Sequence, residues 1–371
     1  MKVTFPHMGT AHLAFATLLA DLGLEPVVPP PTSQRTIALG VRHAPEFACF
    51  PLKVNLGNYL EALAAGAEAI LMVGGAGPCR LGYYAEVQRE ILRGLGHDIE
   101  LIALEPPNHG IGRLWRAVRR LIPGISPAKL ARALFFALRK LAALDELERL
   151  AAVIRPREAR RGEASAVWAG CRRALAPVTD MSGLRQALLQ CRQALAAVAV
   201  EPERPVLRVA LGGEVYMVLE PAVNLDLERV LGEQGVLVDR RIYLSSWIND
   251  QLIKGFLSRR WFDGIRDLAR PYLGHFVGGH GLESVAQAVD AGVNRYDGLI
   301  QLAPFTCMPE IIAQSVLPRV GRNLDLPIMT LILDEHSGEA GVLTRVEAFL
   351  DLLRRRRAKE ALSLAPVFSG R

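Results

Sequence analysis

Aromatic residues and cysteines are scarce in this sequence, and no apolar run is long enough to cross a membrane. Phe, Trp and Tyr make up 6% of its 371 residues. They do not form a series between the arginines of the middle third, so no stacking platform for nucleic acid is expected. Glu68 breaks the most apolar N-terminal region and arginines break the stretch 128–144, which excludes a hydrophobic span. Met1-Lys2 leads straight into a strand-like segment rather than a signal-peptide core, so the expected compartment is the cytoplasm. HExxH, GxSxG and the Lys-Ser/Thr of a phosphate-binding loop are missing, so zinc-protease, serine-hydrolase and P-loop nucleotidase readings lack support. Five cysteines is a low, odd count. Disulfides are not expected in a cytosolic chain, which leaves metal ligation, catalysis or simple burial.

Half of the residues are hydrophobic, enough for a sizeable core and incompatible with global disorder. The formal charge of +6 is unevenly placed: residues 107–173 hold 15 Lys and Arg against 5 Asp and Glu. That stretch is either a solvated basic face or a patch for an anionic partner, with nucleic acid the least favoured.

Residues 1–106 alternate short apolar runs with helical periodicity, as in 2–5, 11–22, 25–28, 52–65, 69–73, 81–95 and 99–104. This alternation predicts a doubly wound parallel sheet. From 111 to about 200 only helical periodicity is visible, broken by Pro123, Pro127, Pro156 and Pro177. Trp115, Leu121, Leu134, Phe135 and Leu138 are its expected apolar faces. Strand and helix alternation resumes at Pro205, with two helices expected over 247–272 and a brief strand at 275–277. The expected class is therefore α/β. It comprises a Rossmann-like domain at 1–106 holding Cys49 and Cys79, a helical segment at 107–204, and a second Rossmann-like domain at 205–371 holding Cys307.

The two α/β regions share a pattern. PEFACFPLKVNLGNYLEALAAGAEAILMVGGAGPCRLG at 45–82 runs helix, Ala-Gly stop, apolar strand, turn, cysteine. LESVAQAVDAGVNRYDGLIQLAPFTCM at 282–308 repeats that order, with Cys79 and Cys307 in matching places. Cys49, Cys79 and Cys307 each lie in a turn at an element boundary, and the amides of a helix that begins there favour a thiolate. In open α/β sheets ligands bind beyond the carboxyl ends of the strands. Three thiolates meeting there would hold a cubane iron–sulfur cluster with one iron open; otherwise the three are small buried residues beside glycine turns. Close Cys-x-x-Cys pairs are missing, which disfavours structural zinc. The glycine turns 74–77 and 278–281 would let backbone approach a bulky ligand. Lys53 and Arg80 either balance the charge of a cluster or substrate, or are solvated surface cations. Cys171 and Cys191 fall inside helices and are expected to be packed free thiols. His7, His43, His280 and His336 fall in loops, each more simply a hydrogen-bonded loop residue than a ligand.

These stretches, with PCRLGYYAEVQREIL, GGHGLESVAQAVDAG and LILDEHSGEAG, resemble the acyl-CoA dehydratase activase-related proteins, relatives of 2-hydroxyacyl-CoA dehydratase and benzoyl-CoA reductase subunits. The resemblance covers both α/β halves and is weaker in the middle helices. It implies a [4Fe-4S] cubane on three cysteines between Rossmann-like domains, and the matching positions are Cys49, Cys79 and Cys307. It further implies an oxygen-sensitive, cytoplasmic redox or dehydratase-type component, homo- or hetero-oligomeric, with an acyl-CoA or other small anionic substrate. Its electrons would come from a separate ATP-dependent activator with its own cluster, whose ATPase sequence is not in this chain. An electron relay or scaffold, and a two-domain small-molecule binding protein, remain the competing expectations.

Overall fold

The computed structural model describes residues 1–75, 78–104, 111–249 and 260–364. Two four-stranded, all-parallel sheets are separated by a run of helices. The first sheet contains β1 (Lys2–Thr4), β2 (Glu25–Pro26), β3 (Ala69–Val73) and β4 (Glu100–Leu104), in the order β2-β1-β3-β4. The second contains β5 (Leu207–Gly213), β6 (Val236–Arg240), β7 (Gly298–Pro304) and β8 (Ile328–Leu333), in the same relative order, β6-β5-β7-β8. Central parallel strands covered on both faces should read as continuous apolar runs. β7, GLIQLAP, is buried at every position and pairs Leu299 with Ile328 on one side and Ala210 on the other.

The strand order reverses between β1 and β3, and again between β5 and β7. Each reversal opens a crevice at the carboxyl ends of its strands. Helices α1 (Ala11–Asp21), α2 (Gln34–His43) and α3 (Phe50–Ala64) serve the first sheet, followed by α4 (Tyr84–Gly94). The middle of the chain forms α5 (Ile111–Leu121), α6 (Pro127–Ile154), α7 (Glu163–Leu175) and α8 (Met181–Ala196). Pro127 does not break a helix but opens one, with Ser126 as its cap, because proline's fixed φ suits the first turn. Leu134 and Phe135 correct the expected apolar face: both are exposed, and Phe136 is the buried neighbour. The expected strand at 275–277 is irregular chain, and part of the helical stretch expected between 247 and 272 lies outside the described residues.

The largest core does not belong to one half. Ala11, Ala14, Ile37, Phe50 and Val54 from α1–α3, and Leu141 from α6, pack with Val209, Leu211, Ile300, Leu302 and Leu331 of the second sheet. Polar ties fix the seam. The Gly9 amide donates to Glu220 Oε2 at 2.9 Å, and buried Lys53 pairs with Glu335 in the loop after β8. Lys140, fully buried on α6, donates to Thr17 Oγ1 on α1 and to the carbonyls of Ala176 and Val178 between α7 and α8. The helical segment is therefore anchored to the first half as well as to the second. None of the helices among the described residues is long and apolar enough to cross a membrane.

Candidate functional site at the seam between the sheets

Cys49, Cys79 and Cys307 occupy the same local position. Each is the residue before a helix: α3 for Cys49, a short 3₁₀ turn Arg80–Tyr83 for Cys79, and the helix Met308–Leu324 for Cys307. Their backbones are extended, with φ of −67°, −67° and −72°. Cys49-Phe50-Pro51 and Cys307-Met308-Pro309 also share a proline in the first helical turn, where its missing N–H does no harm. A crossover helix starts on the carboxyl side of its sheet, so this placement sends all three residues toward the crevices at the strand reversals.

The structure brings the three loops together, and Arg80 is the tie. Its Nη1 donates to the Phe47 carbonyl at 2.7 Å and to Thr306 Oγ1 at 3.1 Å. The Thr306 hydroxyl in turn donates to the same Phe47 carbonyl at 3.2 Å. Phe47 leads into Cys49, Arg80 follows Cys79, and Thr306 precedes Cys307. Thr306 has a φ of 65°, a left-handed conformation unfavourable for a β-branched residue, and these bonds help to hold it there. Arg80 is thus exposed but engaged through Nη1, and its charge favours the Cys79 thiolate. Lys53 is likewise committed to Glu335 and does not serve as a free countercharge.

The second glycine turn is filled by the chain itself. Gly278 and Gly279 have φ of 91° and 45°; a Cβ on Gly278 would lie 2.7 Å from Pro78 Cγ, and one on Gly279 would lie 3.1 Å from Pro309 Cγ. The open space expected there is used for close packing of the two cysteine loops, although Gly279 also leaves the Cys79 sulfur without a side chain beside it. The first glycine turn falls partly outside the described residues, at 76–77.

Burial disfavours the thiolate at all three positions. Burial pushes Cys49 up to about 11, opposed by the Tyr84 hydroxyl 2.6 Å from its sulfur. Burial also raises Cys79, partly offset by the Leu81 amide and Arg80, and it raises Cys307 furthest. The expectation that helix amides lower these values is therefore corrected: the amides act in that direction, but desolvation outweighs them. Ionised Glu214 raises all three cysteines, Cys79 raises Cys49, and Cys49 raises Cys307. Among the described residues, no three His, Cys, Asp or Glu side chains already stand in metal-ligating positions.

The site also holds acids that the sequence pattern did not single out. Burial lifts Glu214 to about 7, Glu283 to about 7 and Glu310 to about 8. Glu310, fully buried, accepts from Ser284 Oγ on both carboxyl oxygens and from Gln301 Nε2 at 2.7 Å. Its place in the first turn after Cys307 was readable, but its burial depends on Ser284 and Gln301, remote in sequence. A Glu whose folded pKa is raised contributes stability below its unfolded pKa and loses it as pH rises through the folded value. Glu310→Gln should therefore leave metal-free protein nearly unchanged at pH 5 and make it more resistant to denaturation than the parent at pH 9. Equal urea midpoints at pH 9 would show that Glu310 is not held protonated.

His7, His280 and His336 remain loop residues, whereas His43, expected in a loop, lies in the last turn of α2. His7 Nε2 lies 2.7 Å from the Pro29 carbonyl, and burial lowers His280 to about 4.

Comparison with protein-family models and with curated proteins finds no match. The donor set of the site is three thiols on three helix starts, with no imidazole among the cysteine contacts described above.

Proposed function

We propose that Cys49, Cys79 and Cys307 hold a [4Fe-4S] cluster with one iron free of protein ligands, in a redox or dehydratase-type component of the 2-hydroxyacyl-CoA dehydratase-like superfamily that the cysteine segments resemble. The observation that carries this reading is the Arg80, Phe47 and Thr306 tie, which joins the three cysteine loops across the seam. Three sulfur donors suit a cubane and are one short of a closed structural zinc site. When bound, such a cluster supplies one-electron chemistry and an iron with a free position.

The chain's own residues set the conditions for loading. All three thiols must lose protons, so uptake should strengthen as pH rises. Cys49 must turn from the Tyr84 hydroxyl. Burial pushes Glu214 up to about 7 and Glu310 up to about 8, so only below those values do they add little negative charge beside three thiolates. Arg80 keeps the loops in register without contributing a ligand.

Electrons would come from a separate ATP-dependent activator carrying its own cluster, and the substrate would be a small thioester of the acyl-CoA type. Large apolar side chains are exposed around the cysteine loops: Phe47 is 71% exposed, Tyr83 72% and Phe305 53%, with Met308 and Ile311 beside them. This rim supports a protein partner, whether the activator or another subunit of a homo- or hetero-oligomer. The basic residues of 107–173 are candidates for the phosphates of the substrate or for that partner. The proposed setting is cytoplasmic and anaerobic.

The test is to reduce the anaerobic, reconstituted protein and titrate it with acyl-CoA thioesters while following its EPR spectrum. A substrate-dependent shift of the cluster signal is expected. An unchanged spectrum with every thioester, together with a fourth protein ligand, would leave an electron relay or scaffold in place of open-site chemistry.

A further inference from the structure

Cys171 and Cys191 take no part in the seam. They face each other from α7 and α8, twenty residues apart in sequence, in a small core with Trp168, Leu175, Leu184 and Leu195. The Cys171 sulfur lies 4.0 Å from the Cys191 carbonyl oxygen, and the neighbouring Cys191 thiol disfavours ionisation of Cys171. Both side chains are buried. A lone buried cysteine packs as a small hydrophobe, but two cysteines in one packed cluster on neighbouring helices meet the first requirement of a disulfide, proximity.

We propose that Cys171 and Cys191 form a reversible intramolecular disulfide when the protein meets a small-molecule disulfide such as oxidised glutathione. The exchange is balanced. One protein thiolate attacks a sulfur of the oxidant, forming a mixed disulfide and releasing one thiolate. The second protein thiolate then attacks the protein sulfur of that mixed disulfide and releases the other. One S–S bond forms in the protein, one breaks in the oxidant, and the two protons lost by the cysteines go to the two released thiolates.

The folded hairpin restrains the reaction. Burial and the neighbouring thiol push Cys171 up to about 12, so the attacking thiolate is rare until α7 and α8 part. The pair therefore reports opening of this hairpin. The loop between the two helices is already fastened by Lys140 to Ala176 and Val178, and through Lys140 to Thr17 on α1. A disulfide would add a covalent tie between α7 and α8 to that anchoring and close a short loop in the unfolded chain as well.

The test uses the whole, metal-free protein, kept anaerobic and incubated with a graded ratio of oxidised to reduced glutathione. It is then quenched, alkylated under denaturing conditions and digested with trypsin. The expected product is a cross-link between the peptide ending at Arg172 and the peptide ending at Arg192, reversed by excess reduced thiol. With Cys191→Ser, the expected product under the same conditions is a glutathione adduct on Cys171. Recovery of both wild-type peptides in alkylated form at the most oxidising ratio would overturn the proposal. So would separate glutathione adducts without the cross-link, or a cross-link from either cysteine to one at the seam.

Discussion

Replacing Cys307 with Ala should remove most of the iron and the visible absorbance from anaerobically reconstituted protein. Cys49→Ala and Cys79→Ala should do the same, whereas Cys171→Ser and Cys191→Ser should leave both nearly unchanged. The size of the expected effect follows from the donor count. A cubane held by three thiolates has no spare protein ligand to take over, so losing one leaves two irons without protein sulfur. Cys307 is the most informative of the three. Its sulfur is brought to the seam by β7, a strand buried at every position, and by a left-handed Thr306 that other residues hold in place. An alanine there removes the donor without enlarging a side chain, so the fold should survive and the iron should not. Undiminished iron in Cys307→Ala protein would exclude it as a ligand.

The second large effect concerns stability. α2 and α3 cross so closely that their backbones touch through two glycines. A Cβ on Gly40 would lie 1.7 Å from the Lys53 carbonyl oxygen, and one on Gly57 would lie 1.9 Å from that of Thr36. Both obstacles are backbone, which cannot rotate away, so Gly40→Ala must push the helices apart. We expect a loss of about 3 kcal/mol or more in denaturant unfolding. Gly94→Ala is the matched control. It lies in the last turn of α4 with open space where its Cβ would point, and should be neutral or stabilising by up to about 1 kcal/mol. Cys49 sits between α2 and α3, so spreading them should also weaken iron retention. A Gly40→Ala protein as stable as its parent would show that this crossing has slack.

These cases mark what periodicity reveals and what it hides. β3 and β7 were legible because each is a short apolar run closed by a turn, and the alternation on either side of a purely helical stretch is enough for the two-sheet architecture. The equivalence of Cys79 and Cys307 was legible because a repeat preserves spacing. The Gly40 contact was not, since a glycine inside an amphipathic helix looks like a small defect until the facing helix is placed. Leu134 and Phe135 next to Phe136 illustrate another limit: consecutive apolar residues do not say which one meets the core. That Arg80 adjoins Cys79 was readable, but its Nη1 bonds to Phe47 and Thr306 were not, because those partners are distant in sequence. The thiol environment was misjudged for the same reason. A helix start can be read locally, whereas burial and the charge of Glu214 depend on how the halves meet.

The most direct measurement is the iron and acid-labile sulfide content of the intact protein after anaerobic reconstitution, read together with its Mössbauer spectrum. Three thiolates at the seam predict about four irons and four sulfides per chain, with one iron spectroscopically distinct because it lacks a cysteine ligand. A colourless protein that retains no iron and no sulfide after reconstitution would contradict the account.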